Sequence, residues 1–213
     1  MEDRTHAGLY LEMTDETPEV YAESRLREVL GWPGVERGTW WRNLVPGRTE
    51  FPRTLPEFAT LAVYEVSETF APMSPGAERS LTFRRTPRPG QGNLSGQPTL
   101  GLELVLISPR NPGGAQALRD WADFIHIREI AASSAPGFTM ITPYENAGEG
   151  EPRFMHFYEM DTADAEKAFQ GMAPATQVRV GAPGSPEYDE WANHPELRIN
   201  YVNTFTRIGE AIA

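Results

Sequence analysis

Apolar and polar positions alternate along Gly8-Leu-Tyr-Leu-Glu-Met13, Leu61-Ala-Val-Tyr-Glu-Val-Ser67, Gly101-Leu-Glu-Leu-Val-Leu106 and Met155-His-Phe-Tyr-Glu-Met-Asp161. That period of two is the mark of strands. Between Asn111 and Ser134 the period changes: Leu118, Trp121, Phe124, Ile125 and Ile130 recur at three to four, which predicts a helix over about 113–134 stopped by Ala135-Pro-Gly. Strands are expected near 137–145 and 153–160. A helix from Thr162 to Met172, with Asp161 as N-cap, and a strand near 198–207 complete the series. The Pro- and Gly-containing stretch 173–197 reads as a lid or edge loop.

Laid on itself, the chain repeats. Gly34-Val-Glu-Arg-Gly-Thr-Trp-Trp-Arg-Asn43 overlies Gly137-Phe-Thr-Met-Ile-Thr-Pro-Tyr-Glu-Asn146, each preceded by proline, and Tyr64-Glu65 overlies Tyr158-Glu159. Weaker matches pair Gly8–Met13 with Gly101–Leu106 and Leu81–Arg85 with Asn203–Arg207. Matches in one order along the chain predict two diverged copies of a strand-helix-strand-strand-strand unit. The predicted fold is α+β: two tandem ferredoxin-like units, residues 1–88 and 100–213, whose antiparallel sheets close an intramolecular α+β barrel. Residues 89–99 form a Pro/Gly-rich linker. After Val66 the first copy has room for only about a dozen residues, with Pro72, Pro75 and Gly76 among them, before the strand near 80–85, too few for a full second helix.

The 213 residues carry a net charge of −11, from 30 acidic and 19 basic side chains without a basic face, so nucleic acid is not an expected partner. The absence of cysteine excludes disulfides, a thiolate nucleophile and Cys-ligated metal. Met1-Glu-Asp-Arg-Thr-His6 has no signal-peptide pattern, and no run approaches the roughly 18 apolar residues of a membrane span, so a cytoplasmic protein without membrane attachment is expected. Dinucleotide, phosphate-loop, zincin and serine-hydrolase motifs are absent, and four widely spaced histidines give no metal-site pattern.

Alternation places His156 and Tyr158 on one face of their strand and Met155 and Phe157 on the other. The apolar set is expected under the helices. The polar set, with Tyr10, Glu12, Tyr64 and Glu103, is then expected to line the barrel as a polar cavity. His156 suits proton transfer, the usual task of an imidazole at a catalytic site, against the alternative of a hydrogen-bonded structural histidine. Tyr158 and Tyr64 can donate to a carbonyl or enolate oxygen, although their repetition suits a fold requirement as well. Trp40 and Trp41 read as packing residues. His194 and Trp191, in Tyr188-Asp-Glu-Trp-Ala-Asn-His-Pro195, are candidates to close over a ligand, with a turn before proline as the alternative for His194. His6 falls in a terminus expected to fray.

The helix Asp120-Trp-Ala-Asp-Phe-Ile-His-Ile-Arg-Glu-Ile130 followed by Pro136-Gly137 resembles the EthD-like branch of the dimeric α+β barrel superfamily. The resemblance is good over about 100–160. It implies a barrel of two ferredoxin-like sheets, and it adds His126 as a site residue, with Asp123 and Glu129 one turn away as orienting partners. The first copy carries Glu23 where His126 stands. The resemblance implies a cofactor-independent enzyme of cyclase, isomerase, dehydratase or oxygenase type, with room for a homodimer. On these residues the expected substrate is a small, partly apolar carbonyl compound, with His156 or His126 moving a proton and Tyr10, Glu12, Tyr64, Glu103, Trp191 and His194 in contact with it. A non-catalytic binding protein and a haem protein with one axial histidine are the alternatives. The second copy, with both histidines, is the expected half for the site.

Overall fold

A computed structural model describes residues 6–73 and 79–213. Its elements in order are β1 (Gly8–Thr14), α1 (Pro18–Ser24), α2 (Leu26–Leu30), β2 (Val35–Asn43), β3 (Thr60–Val66), β4 (Arg79–Arg85) and a two-residue β5 (Gln91–Gly92). They continue with β6 (Gly101–Pro109), α3 (Ala115–Trp121), a π-helical turn (Ala122–His126), α4 (Ile127–Ser133), β7 (Phe138–Asn146), β8 (Phe154–Met160), α5 (Ala165–Val180), α6 (Pro186–Ala192) and β9 (Leu197–Ile212). The segment expected to be too short for a helix falls partly on 74–78, outside the described residues, as does the N-terminal pattern up to Thr5.

The strands lie in the order β4-β1-β3-β2-β9-β6-β8-β7, and β4 pairs with β7 to close an eight-stranded antiparallel barrel. Within the first half the spatial order is fourth, first, third, second strand, and the same order recurs in the second half. The registers correspond as well: Gly8 faces Val66 and Tyr10 faces Tyr64, while Gly101 faces Met160 and Glu103 faces Tyr158. Gly34 and Gly137, each after a proline and leading into a second strand, have φ of +87° and +90°, a conformation that favours glycine.

The barrel interior is apolar. Leu9, Leu11, Met13, Trp41, Leu61, Val63, Phe83, Leu102, Leu104, Leu106, Tyr144, Met155, Phe157, Tyr201 and Phe205 form one buried cluster fed by all eight strands. This reverses the expected assignment of faces. Leu61, Val63, Met155 and Phe157 fill the barrel rather than pack under helices, and His156, Tyr158, Glu103, Tyr10, Glu12 and Tyr64 lie on its outside, beneath the helices. The reason is steric: an eight-stranded barrel is just wide enough to be filled by its own side chains. Every residue of β3 and β8 is buried, so alternation separates the two faces without saying which turns inward.

The stretch 173–197 is helical over much of its length. α5 runs through Pro174 to Val180 and α6 follows. The N-cap of α5 is Asp164, whose carboxylate accepts from the Lys167 N–H at 3.3 Å, three residues beyond the expected Asp161. The linker is docked: β5 pairs with β7, and Arg88 donates to Asp123 at 3.0 Å. No helix among the described residues is long and apolar enough to cross a membrane.

Candidate functional site

Beneath the helices of the second half, the outer face of β6, β8 and β9 forms the floor of a cavity of about 430 Å3. Its walls are largely apolar, from Val105, Ile107, Trp121, Phe169, Met172 and Trp191 among others. The polar groups are Glu103, His126, His156 and Tyr158, with Gln170 and Tyr188 from the helices above. A few convergent polar groups in an apolar concavity are the usual make-up of a small-molecule site.

His156 is buried, and its Nε2 lies 3.5 Å from Oδ1 of Asp123, which is also buried. Asp123 is fixed by Arg88 and approached by the Arg119 Nε at 3.9 Å. Neither His156 ring nitrogen makes a hydrogen bond within the described residues, so the carboxylate is its one close charged neighbour. Asp123 was expected beside His126 on a regular helix, with Glu129. The π-helical turn adds a residue to that stretch, and Asp123 points at His156, while Glu129 pairs with Arg128 and Arg179.

His126 is held by its surroundings. Its ring stacks between Trp121 and Trp191, with centroids 5.1 and 5.4 Å away, and its Nδ1 lies 3.0 Å from the Trp191 carbonyl oxygen. Burial pushes its pKa down to about 4; the hydrogen bond to Trp191 opposes that shift and His156 adds to it. The imidazole is therefore neutral at pH 7, with Nδ1–H donating to the carbonyl and Nε2 carrying the lone pair.

Tyr158 and Glu103 are cross-strand neighbours. The Tyr158 hydroxyl makes no hydrogen bond within the described residues, and burial, then the charges of Glu103 and Asp123, hold it protonated. Glu103 is 2% exposed, and its Oε2 has no hydrogen-bond partner. Burial raises its pKa to about 8, with Arg48 opposing and Glu166 reinforcing.

The remaining expected site residues lie elsewhere. Tyr10, Glu12 and Tyr64 sit in the first half under α1 and α2, packed with Trp32, Val29 and Phe70. There Tyr10 and Tyr21 donate to Glu12 at 2.8 and 2.6 Å, and Arg25 donates to it through Nη2 at 2.8 Å. Tyr64 and Tyr21 share a hydrogen bond of 2.7 Å. This network satisfies its own groups and lies away from the cavity. His194 stacks on Trp121 and accepts from the Glu196 N–H at 3.2 Å, a turn role outside the cavity lining. Glu23 is exposed on α1.

The first half does reach the cavity. Phe51, in the loop after β2, lines it and meets Phe169 edge-on at 6.0 Å. Arg48 of the same loop pairs with Glu166 and donates to Asn203 at 3.2 Å. Neither residue carried a signal in the sequence, because the loop has no periodicity and its partners are more than 100 positions away. A larger depression of about 640 Å3 involves His6, Arg84 and Arg85 at one end of the barrel, where His6 pairs with the Tyr144 hydroxyl at 2.7 Å. Among the described residues no group of three or more His, Asp or Glu side chains is placed to hold a metal ion.

No protein-family model matches the chain, and no curated protein matches it. Solved structures do. An anthrone oxidase-like protein superposes with a TM-score of 0.56 at 14% identity, over 99% of this chain and 94% of that one. A presumed monooxygenase from Lactobacillus acidophilus gives 0.52 at 11% identity, over 97% and 96%. A major regulator of staphylococcal pathogenesis gives 0.50 at 8% identity, over 95% and 99%. Such likenesses show the fold, an α+β barrel, and one fold hosts different activities.

Proposed function

We propose that the chain is a small-molecule enzyme of oxygenase type, independent of a cofactor, acting on a partly apolar carbonyl compound bound between β6, β8, β9 and the helices of its second half. His156 removes a proton from carbon next to the carbonyl or to an aromatic ring. Asp123 orients the imidazole and stabilises its cation. Tyr158 donates to the oxygen on which charge develops. The resulting enolate is electron-rich enough to reduce dioxygen, and an activated methylene plus O2 yields a ketone plus water.

One observation carries this reading: His156 and Tyr158 face a largely apolar cavity with no hydrogen-bond partner among the described residues, and a buried carboxylate lies 3.5 Å from the imidazole. The names of two fold neighbours, an anthrone oxidase-like protein and a presumed monooxygenase, favour oxygenase chemistry over the cyclase, isomerase and dehydratase types. The recurring strand order, matching registers and paired glycines support the halves as diverged ferredoxin-like copies, 1–88 and 100–213, joined by 89–99. The Asp120–Ile130 stretch with Pro136-Gly137 supports placement near the EthD-like branch.

The test is oxygen uptake with a panel of benzylic and 1,3-dicarbonyl ketones. His156→Gln is expected to lower kcat about 10^2- to 10^4-fold, and His126→Gln less, because that ring is held in a stack. Full activity in His156→Gln overturns the mechanism. Tight binding without turnover in the wild type replaces it with a carrier, and a Soret band on haem addition with a haem protein.

A further inference from the structure

Glu12 and Glu103 are both buried on the outer face of the barrel, one in each half, and their surroundings differ completely. Glu12 receives two tyrosine hydroxyls and a guanidinium. Glu103 receives no hydrogen bond from the described residues: its Oε2 is buried without a partner among them, and its side chain lines the cavity. The nearest cation, Arg48, is engaged by Glu166, Asn203 and Thr204. Burying an ionised carboxylate without a partner costs far more than burying the neutral acid. A carboxyl in that position keeps its proton and has an O–H to give.

We infer that Glu103 serves the cavity as a neutral carboxylic acid, donating with Tyr158 to one oxygen of the ligand, so that the site takes uncharged carbonyl compounds and rejects carboxylates. This deepens the proposed function and rests on the cavity being the ligand site. The two donors come from adjacent strands and are cross-strand neighbours, so both can reach one oxygen atom. Two donors on one oxygen stabilise it increasingly as it gains charge. No Arg or Lys is among the residues that line the cavity, so a ligand carboxylate would enter without a counter-ion.

The titratable and charged groups around Glu103 come from each neighbouring element: Tyr158 and His156 on β8, Asp123 and His126 on the π-helical turn, Arg48 on the first-half loop and Glu166 on α5. Among them Arg48 favours ionisation of Glu103 and Glu166 opposes it, while burial dominates.

The probe is 1-tetralone, a non-titrating aromatic ketone, with 1-naphthoate as a charged analogue of similar size. Binding is followed by quenching of tryptophan fluorescence. The 1-tetralone Kd is expected to stay flat up to about pH 7 and to rise about tenfold by pH 9, as a carboxyl raised to about 8 ionises. Glu103→Gln, whose amide does not ionise, abolishes the rise, while 1-naphthoate binds the wild type at least about tenfold more weakly than the ketone. Infrared difference spectra of the ligand-free wild type between pH 6 and pH 9.5 need no variant and should show loss of a carboxylic acid C=O band. Absence of that band, a pH-independent Kd or preferential binding of the naphthoate overturns the inference. A band and a pH-dependent Kd without oxygen uptake leave the inference standing and remove the oxygenase reading.

Discussion

His126 and Asp123 sit three residues apart on one turn and respond to change differently. Burial depresses the His126 pKa to about 4 from an ordinary 6.5, so the native state resists the proton that the unfolded chain accepts. Stability from this residue is present above pH about 6.5 and is lost as pH falls toward 4. His126→Phe should remove on the order of 1–3 kcal/mol of that acid sensitivity, measured by urea unfolding at pH 4.5 and 7. Asp123 acts through His156. Asp123→Asn is expected to lower kcat with little change in KM and to shift the pH profile, since the imidazolium loses its carboxylate; a change confined to KM would argue against that role. That His156, Tyr158 and Glu103 share one face was legible from alternation, but not that this face lies outside the barrel. The Asp123–His156 approach was not, because sequence spacing pairs Asp123 with its helical neighbours.

At the scale of elements, the π-helical turn explains the largest misreading of the helix. Phe124 fits the three-to-four apolar spacing and was expected in the core. It is 56% exposed, with the Arg88 guanidinium 4.6 Å from its ring centroid. One extra residue rotates the following turns, and apolar spacing tolerates that rotation too easily to reveal it. Deleting Phe124 should restore a regular helix and carry Asp123 out of reach of His156. The circular dichroism spectrum is expected to stay unchanged, while 1-tetralone binding and oxygen uptake are lost; retained binding would show that the turn does not build the site. A similar ambiguity ended the expected helix at Met172, because Pro174 reads as a break. The helix continues past it, packed on α4 and with the Thr176 hydroxyl donating to the Met172 carbonyl at 3.0 Å.

At the scale of the molecule, the same strand order recurs in the two halves, in line with the short motifs that repeat along the sequence, because each half meets similar geometric demands. Gly34 and Gly137 show this in their nearly equal positive φ. Which face closes the barrel could not be read, since both faces are buried. Below the helices the halves diverge: in the first, Glu12, Arg25, Tyr10, Tyr21 and Tyr64 with Trp32 fill the space, and in the second the space is a cavity. Glu12 and Glu103 should therefore answer the same substitution with opposite signs. Burial pushes the Glu12 carboxyl up, but hydrogen bonds from Arg25, Tyr21 and Tyr10 outweigh it and hold it below the usual carboxylate range. Its contribution is present above the unfolded pKa and lost as pH falls through the folded one. Glu12→Gln should cost about 2–4 kcal/mol at pH 7 by leaving Arg25 short of its partner, and less toward pH 3. Glu103 is raised to about 8, so the native state holds a proton that the unfolded chain releases above pH about 4.5, and wild-type stability declines between those values. Glu103→Gln should be near neutral at pH 4 and stabilising by a few kcal/mol, on the order of the shift, at pH 8. Urea unfolding of both variants and the wild type at pH 4, 6 and 8 checks the pair. Destabilisation by Glu103→Gln that grows with pH would mean that its carboxylate is the native form and that the second half, like the first, holds a satisfied ion.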